Sequence, residues 1–181
     1  MAGHSKWAKL KHTKAKTDAQ RAKLFSKLVR FISVEAKKAK GDRTSPCVRT
    51  AIEKARTANM PTENIERALD KALGEGAETE HVVYEAYGPG GAALVIEGYT
   101  DNRNRTSAEI KHLLNEHGGA LASPNAAMWA FTRLPAQAGT EGKLESTATV
   151  ELSDQDLEKL VTLVEILEEH DDVSDVYTNA A

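Results

Sequence analysis

Residues 82–99 read Val-Val-Tyr-Glu-Ala-Tyr-Gly-Pro-Gly-Gly-Ala-Ala-Leu-Val-Ile-Glu-Gly-Tyr. Residues 82–87 and 92–99 are rich in β-branched and aromatic side chains, and Gly88-Pro89-Gly90-Gly91 between them is turn chemistry, so the stretch predicts a β-hairpin. The glycines do not make a phosphate loop. They lack the Walker spacing with its Lys-Ser/Thr, and they lack G-x-G-x-x-G ahead of a helix.

Upstream of the hairpin the period changes from two to 3.6. Over 17–40, Leu24, Phe25, Leu28, Ile32 and Ala36 share one stripe, and Lys16, Lys23, Lys27, Arg30 and Lys37 share the opposite one. One face is expected to pack and the other to form a cationic ridge. Gly41-Asp42 ends this helix. Ser45 as N-cap and Pro46 at the first helical position start a second, with Val48, Ala51, Ile52 and Ala55 inward. Pro61 and Glu63 open a third through Ile65, Ala68 and Leu69, which stops at Gly74 and Gly76. The expectation is a three-helix bundle over 17–76.

Downstream, Asp101 and Asn102 cap a helix over 103–117 that carries Ile110, Leu113 and Leu114 and ends at Gly118-Gly119. Residues 126–132 read as a strand, 133–146 as a turn-rich linker, and 147–152 as a short strand. Ser153 with Asp156 is a capping signature for an amphipathic helix carrying Leu157, Leu160, Val161, Val164 and Leu167. Residues 173–177 close as a strand. The order ββαβ(β)αβ predicts, over 77–181, an antiparallel sheet covered by two helices. The fold class is therefore α+β: a three-helix bundle plus an antiparallel-sheet α/β sandwich.

Charge decides the kind of partner. Residues 1–40 hold twelve Lys and Arg against Asp18 and Glu35, a net of +10. Residues 77–181 hold six basic and nineteen acidic side chains, a net of −13, and the whole chain of 181 residues stands at −3. Such segregation speaks of partners rather than of fold. Residues 1–16, without apolar periodicity, read as a basic arm. Cations spaced to track phosphates bind polyanions through counterion release. The candidate nucleic-acid contacts are His4, Lys6, Trp7, Lys9, Lys11, His12, Lys14 and Lys16 in the arm, and Lys23, Lys27 and Arg30 on the ridge. Trp7 can stack on an unpaired base or fold back on the bundle. Arg103 and Arg105 oppose the macrodipole at a helix start, which points to a phosphate or partner contact as well as to a solvated first turn.

Other chemistries are thinly supported. Cys47 is the only cysteine, so no internal disulfide forms, as suits a reducing compartment. No apolar run is long enough to span a bilayer, and the basic start lacks the apolar segment of a secretory signal. His112 and His117 sit five apart with no completing ligand, so no zinc site is expected. With Met1 removed, Ala2-Gly3-His4 is a chemically competent Cu(II) or Ni(II) chelate, not expected to serve as a physiological metal site. No nucleophile–base pair can be named, so neither enzyme activity nor a cofactor is expected. The acidic stretch 165–175 lacks the ligand order of a calcium loop and reads as a solvated face, or as a surface that repels nucleic acid.

Several stretches together resemble the YebC family, which includes mitochondrial translational activators of cytochrome oxidase. They are Met1-Ala-Gly-His-Ser-Lys-Trp7, Ile52-Glu-Lys-Ala55, Ala58-Asn-Met-Pro61, Asn64-Ile-Glu-Arg67, Tyr84-Glu-Ala-Tyr-Gly-Pro-Gly-Gly91, Thr100-Asp-Asn-Arg-Asn-Arg-Thr106 and His117-Gly-Gly119. The resemblance runs to about residue 131 and resumes over 149–179. It implies a regulator of gene expression that binds DNA, a ribosome-associated translation factor that binds RNA, or both, and a cytoplasmic location is expected. It also implies that the segment 4–16 and the helices touch nucleic acid. Family members usually carry a further α/β domain between the strand at 126–132 and the segment from 149. The linker at 133–146 takes its place, so a shortened, two-domain member is expected. The alternative is a protein-interaction module that uses the acidic α+β part, with the arm only solubilising. Neither a membrane nor a small-molecule substrate is expected as a partner.

Overall fold

The computed structural model describes residues 18–72, 79–134 and 143–181. Three helices come first: α1 (Asp18–Lys38), α2 (Pro46–Thr57) and α3 (Thr62–Ala72). The apolar stripes read from the sequence meet in one core. Leu28, Phe31, Ile32, Val48, Ala51, Ala55, Ile65, Ala68 and Leu69 are all buried there. Each fully buried Leu, Ile or Phe contributes about 2 kcal/mol. Pro46 starts α2 as expected, but Ser45 makes no side-chain capping bond; its hydroxyl lies 3.0 Å from the Cys47 thiol. The expected stop at Gly74 and Gly76 lies outside the described residues.

The hairpin follows as β1 (Glu80–Tyr87) and β2 (Ala93–Thr100), paired antiparallel from Glu80 opposite Thr100 to Tyr87 opposite Ala93. A 3₁₀ turn over Pro89–Gly91 joins them, and Gly90 and Gly91 take positive φ there, which glycine tolerates without strain. Then come α4 (Arg103–Glu116), β3 (Ala120–Leu121), β4 (Phe131–Arg133), β5 (Leu144–Ser146), α5 (Asp154–Glu169) and β6 (Val173–Thr178). The main sheet has the order β3-β1-β2-β6, with every pair antiparallel. Its central strand β2 is buried along its whole length. Side chains alternate across the pleat. Leu94 and Ile96 enter the core beneath α4 and α5, with Ile110, Leu114, Leu160, Leu163 and Leu167. Ala93 and Val95 enter a second core with Ala127, Ala130, Phe131 and Leu144. Tyr99 reaches into the helical core instead, 5.4 Å from the Phe31 ring. The α+β class is as the sequence predicts, and Asn102 and Ser153 cap α4 and α5 with their side chains.

The second half of the sheet region departs from expectation. Residues 126–132 are not one strand: a 3₁₀ turn at Met128–Ala130 precedes β4. The cause is Glu85, a buried carboxylate on β1. It accepts the backbone N–H groups of Asn125 (2.6 Å), Ala127 (2.7 Å) and Met128 (2.8 Å), so these groups cannot join a ladder. The ends of the expected linker are strands: Arg133 pairs opposite Leu144 and Phe131 opposite Ser146, in a sheet of their own. Its middle, 135–142, lies outside the described residues. The strand expected at 147–152 is absent apart from a single bridge between Val150 and Ala180.

Candidate nucleic-acid interface

The cationic ridge of α1 exists, because positions 23, 27, 30 and 37 fall on one face of a 3.6-residue helix. Lys23 is exposed, and Lys27, Arg30 and Lys37 are half-buried. Lys27 donates to the Glu168 carbonyl, and Lys23 to the Glu169 carbonyl at 3.3 Å. Arg30 donates to the Asp171 carbonyl at 2.6 Å. These are the carbonyls at and just beyond the end of α5, which has no basic residue in its own last turn. A helix C-terminus leaves carbonyls without intrahelical partners and carries partial negative charge. The ridge supplies the missing donors from another part of the fold. Burial lowers the Lys27 pKa, and the charges of Glu168, Asp171 and Asp175 only partly oppose it.

Lys23, Lys27 and Arg30, expected as an open phosphate-tracking face, therefore each have a carbonyl partner within the fold, while Lys23 stays exposed. A cationic stripe suits helix-end carbonyls as well as it suits phosphates. In the stretch 165–175, Glu165, Glu169 and Asp171 are exposed, as a solvated face requires, but Asp172 is buried and the carbonyls of Glu168, Glu169 and Asp171 receive the α1 cations. Lys54 of α2 adds an ion pair to Asp175 at 3.5 Å.

Asp172, which the sequence reading did not single out, is the hub. It is 4% exposed. Oδ1 pairs with Arg30 at 2.7 Å. Oδ2 accepts from Thr106 (2.6 Å), Arg105 (3.0 Å) and Thr100 (3.1 Å). One carboxylate thus joins α1, β2 and α4. Arg105 also pairs with Asp101 at 2.8 Å. Its position at a helix start, against the macrodipole, is explained by these two anions. Arg103 is 62% exposed and lies 3.6 Å from Glu80. His4, Lys6, Trp7, Lys9, Lys11, His12, Lys14 and Lys16 lie outside the described residues.

Glu109, His170 and Asp172 bring three metal-type ligand atoms within 4.8 Å of one another. The set does not suit a cation. Both Asp172 oxygens are taken, and two guanidinium groups lie within 3.0 Å of them. His170 is a relay instead: its Nδ1 accepts from the Asp172 backbone N–H, and its Nε2 lies 3.0 Å from Glu109.

These groups set a pH dependence. Burial works to raise the Asp172 pKa, but Thr106, Arg105, the Arg30 charge and Thr100 together hold it below the ordinary value. Burial likewise opposes ionisation of Glu85, and the three backbone donors outweigh it. Carboxylates with depressed native pKa values contribute stability that is complete above their unfolded values, about 4, and is lost as pH falls through the native ones. Burial lowers the His81 pKa, so below about 6.5 the unfolded chain takes up a proton that the native state refuses. Urea midpoints should therefore decline first between about pH 7 and 5, and again, more steeply, below about 4. His81→Leu should remove only the first decline. A midpoint unchanged from pH 7 to 5 in the unsubstituted chain would contradict the His81 assignment.

Residues 5–75 match the TACO1/YebC protein N-terminal domain, and residues 79–137 match the TACO1/YebC second and third domain. The chain belongs to the TACO1/YebC family. Among its relatives is a "Probable transcriptional regulatory protein" of Pseudothermotoga lettingae, 38% identical over 236 residues that cover 99% of this chain and 93% of that one. A protein of the same name from Pelotomaculum thermopropionicum is 38% identical over 238 residues, covering 99% and 98%. These alignments are longer than the 181 residues of this chain, so the relatives carry positions without a counterpart here. The crystal structure of a conserved hypothetical protein from Aquifex aeolicus superposes with a TM-score of 0.85 at 32% identity, over 97% of this chain and 96% of that one. The relatives' names describe regulation, not catalysis. Among the described residues of this TACO1/YebC chain, no helix is long and apolar enough to cross a membrane. The family motif at 100–106 is accounted for locally, since Thr100, Arg105 and Thr106 hold Asp172, Asn102 caps α4 and Asp101 pairs with Arg105.

Proposed function

We propose that this chain is a non-enzymatic regulator of gene expression that binds nucleic acid through its basic amino-terminal segment. The observation that carries the reading is that residues 1–17 hold five lysines, Lys6, Lys9, Lys11, Lys14 and Lys16, and no acid. The carbonyl bonds of the half-buried Lys27 and Arg30 support the assignment, because they leave less of the ridge free to meet phosphates than the segment's five lysines. His4, Trp7 and His12 add ring faces for unpaired bases, and Arg103 adds a lateral cation. Lysine binds phosphate as a point charge and reads base edges poorly, which favours backbone tracking on DNA, structured RNA or ribosomal RNA alike. The chain is a shortened family member in this reading. The direct pairing of β4 with β5 supports that, since it leaves room only for a short excursion between them.

With about five phosphates engaged, affinity should fall by two to three orders of magnitude between 50 and 200 mM salt. Replacing Lys9, Lys11, Lys14 and Lys16 together with Ala should weaken binding to every sequence alike and flatten the salt slope by about 3 to 4. Gel shift and ribosome co-sedimentation at two salt concentrations measure both. An unchanged slope refutes the segment's role. Binding to neither DNA, RNA nor ribosomes in dilute buffer would leave the acidic α+β part as a docking surface for a basic protein.

A further inference from the structure

The ridge of α1 does not end at Arg30. About two turns further along the same face, Lys37 opens into a cleft of about 210 Å³ between α1, α3 and the turn from β2 to α4. Lys71, in the last turn of α3, lines it as well, and Arg30, Ser33, Thr79 and Asp101 complete the polar lining. We propose that this cleft is a phosphate-binding site and that the phosphate is a phosphodiester of the bound nucleic acid. The inference rests on the nucleic-acid reading above and extends it to a second place on the molecule.

The argument is one of unmatched charge. Lys37 and Lys71 make no ion pair or hydrogen bond among the described residues. Their neighbours behave differently: Lys38 pairs with the buried Glu35 at 2.6 Å, and Arg67 pairs with Glu63 at 3.0 Å. Two ammonium groups brought from different helices to one cleft repel each other unless an anion sits between them. The one carboxylate in the lining, Asp101, already accepts from Arg105 at 2.8 Å. Arg30 bonds to Asp171 and Asp172 through Nη1, and a guanidinium has further N–H donors to offer. The hydroxyls of Ser33 and Thr79 can donate to phosphate oxygens. Val29 and Ala72 form apolar wall, and a cleft with low-dielectric walls focuses the field of its charges. Lys37 lies nineteen residues beyond the start of α1, about 28 Å along the helix axis, so a 20-mer is long enough to meet both the amino-terminal segment and the cleft.

The test compares the full chain with its Lys37→Ala/Lys71→Ala variant. Fluorescein-labelled 20-nucleotide single-stranded RNA and 20-base-pair DNA are titrated by anisotropy from 50 to 200 mM salt, and inorganic phosphate is titrated separately by calorimetry. The variant should bind the 20-mer about tenfold more weakly at 100 mM salt. Its salt slope should be smaller by about 0.7 on RNA and 0.9 on DNA, the loss of one neutralised phosphate, a change that a merely structural role would not produce. Its thermal midpoint should match that of the unsubstituted chain, because neither side chain has a partner among the described residues. Equal affinity and slope in the two proteins would overturn the cleft and leave the amino-terminal segment's role standing. Failure of the unsubstituted chain to bind either 20-mer would overturn the nucleic-acid source itself. In that event, heat of phosphate binding that the variant lacks would still assign the cleft to a free phosphate, and its absence would overturn the site altogether.

Discussion

Replacing Asp172 with Ala should destabilise the protein by about 3 kcal/mol. The side chain is nearly inaccessible, and its loss strands four donors at once. Arg30 loses its 2.7 Å partner, and Thr100, Arg105 and Thr106 lose Oδ2. Thr100 and Thr106 are fully buried. Without the carboxylate, Thr100 can donate to Thr106 at 2.8 Å and Thr106 to the Asn102 carbonyl at 3.1 Å, but both acceptors are neutral and weaker than the ionised Oδ2. The two arginines are 35% and 45% exposed, so water recovers part of their loss, which keeps the expected cost below that of a fully buried ion pair. For a chain of this size, 3 kcal/mol corresponds to a fall of roughly 9 °C in the thermal midpoint. Arg30→Met in the same background should be far less harmful than in the unsubstituted chain, because its partner is already gone. A loss under about 1 kcal/mol for Asp172→Ala, by urea unfolding, would show that the hub is not the joint between α1, β2 and α4.

That joint also explains what could be read from the sequence and what could not. The helices announced themselves through local periodicity: Leu28 and Ile32, or Leu160, Val164 and Leu167, need only a 3.6-residue repeat to be placed on a buried face. The β1–β2 hairpin was equally local, with its turn marked by Gly88-Pro89-Gly90-Gly91. The pairing of β4 with β5 was not, because Phe131–Arg133 and Leu144–Ser146 are three residues each and too short to show alternation. Glu85 illustrates a second limit. A carboxylate on a strand reads as a solvent-facing position, and only the fold reveals that it gathers the N–H groups of Asn125, Ala127 and Met128. The ridge shows a third. Periodicity correctly placed Lys23, Lys27, Arg30 and Lys37 on one face, but a helix wheel carries no information about what that face meets. The clue available was compositional: α5 ends at Glu168-Glu169 and is followed by His170, Asp171 and Asp172, with no Lys or Arg to answer its C-terminus. An unanswered helix end and an unassigned cationic stripe in one chain are candidates for each other.

Gly98→Ala should cost about as much as losing Asp172, although it adds a single methyl group. Gly98 lies in β2 where the register with β6 shifts, between Glu97 and Gly98. A Cβ there would fall well inside contact distance of the Asp172 carbonyl oxygen, 3.1 Å from its carbonyl carbon and 3.3 Å from the Val173 Cα. All three are backbone atoms, so no side chain can rotate out of the way. The same carbonyl accepts the Tyr99 N–H at 2.8 Å, and this close approach is what brings β6 and the hub against the central strand. To admit the methyl group, the chain at Asp172 and Val173 must withdraw, which stretches that hydrogen bond and draws the carboxylate away from Arg30, Thr100 and Thr106. Overpacking alone costs about 1–3 kcal/mol, and displacement of the hub adds to it, giving an expected loss of about 3 kcal/mol or more. The comparison with Gly91→Ala isolates the cause. Gly91 has a positive φ but nothing within 4 Å of an added Cβ, so its substitution carries only backbone strain, about 1 kcal/mol. Because both insults at Gly98 act on one element, Gly98→Ala and Asp172→Ala should combine to much less than the sum of their separate effects. Full additivity in urea unfolding would mean that the close approach at Gly98 and the carboxylate hub stabilise the fold independently.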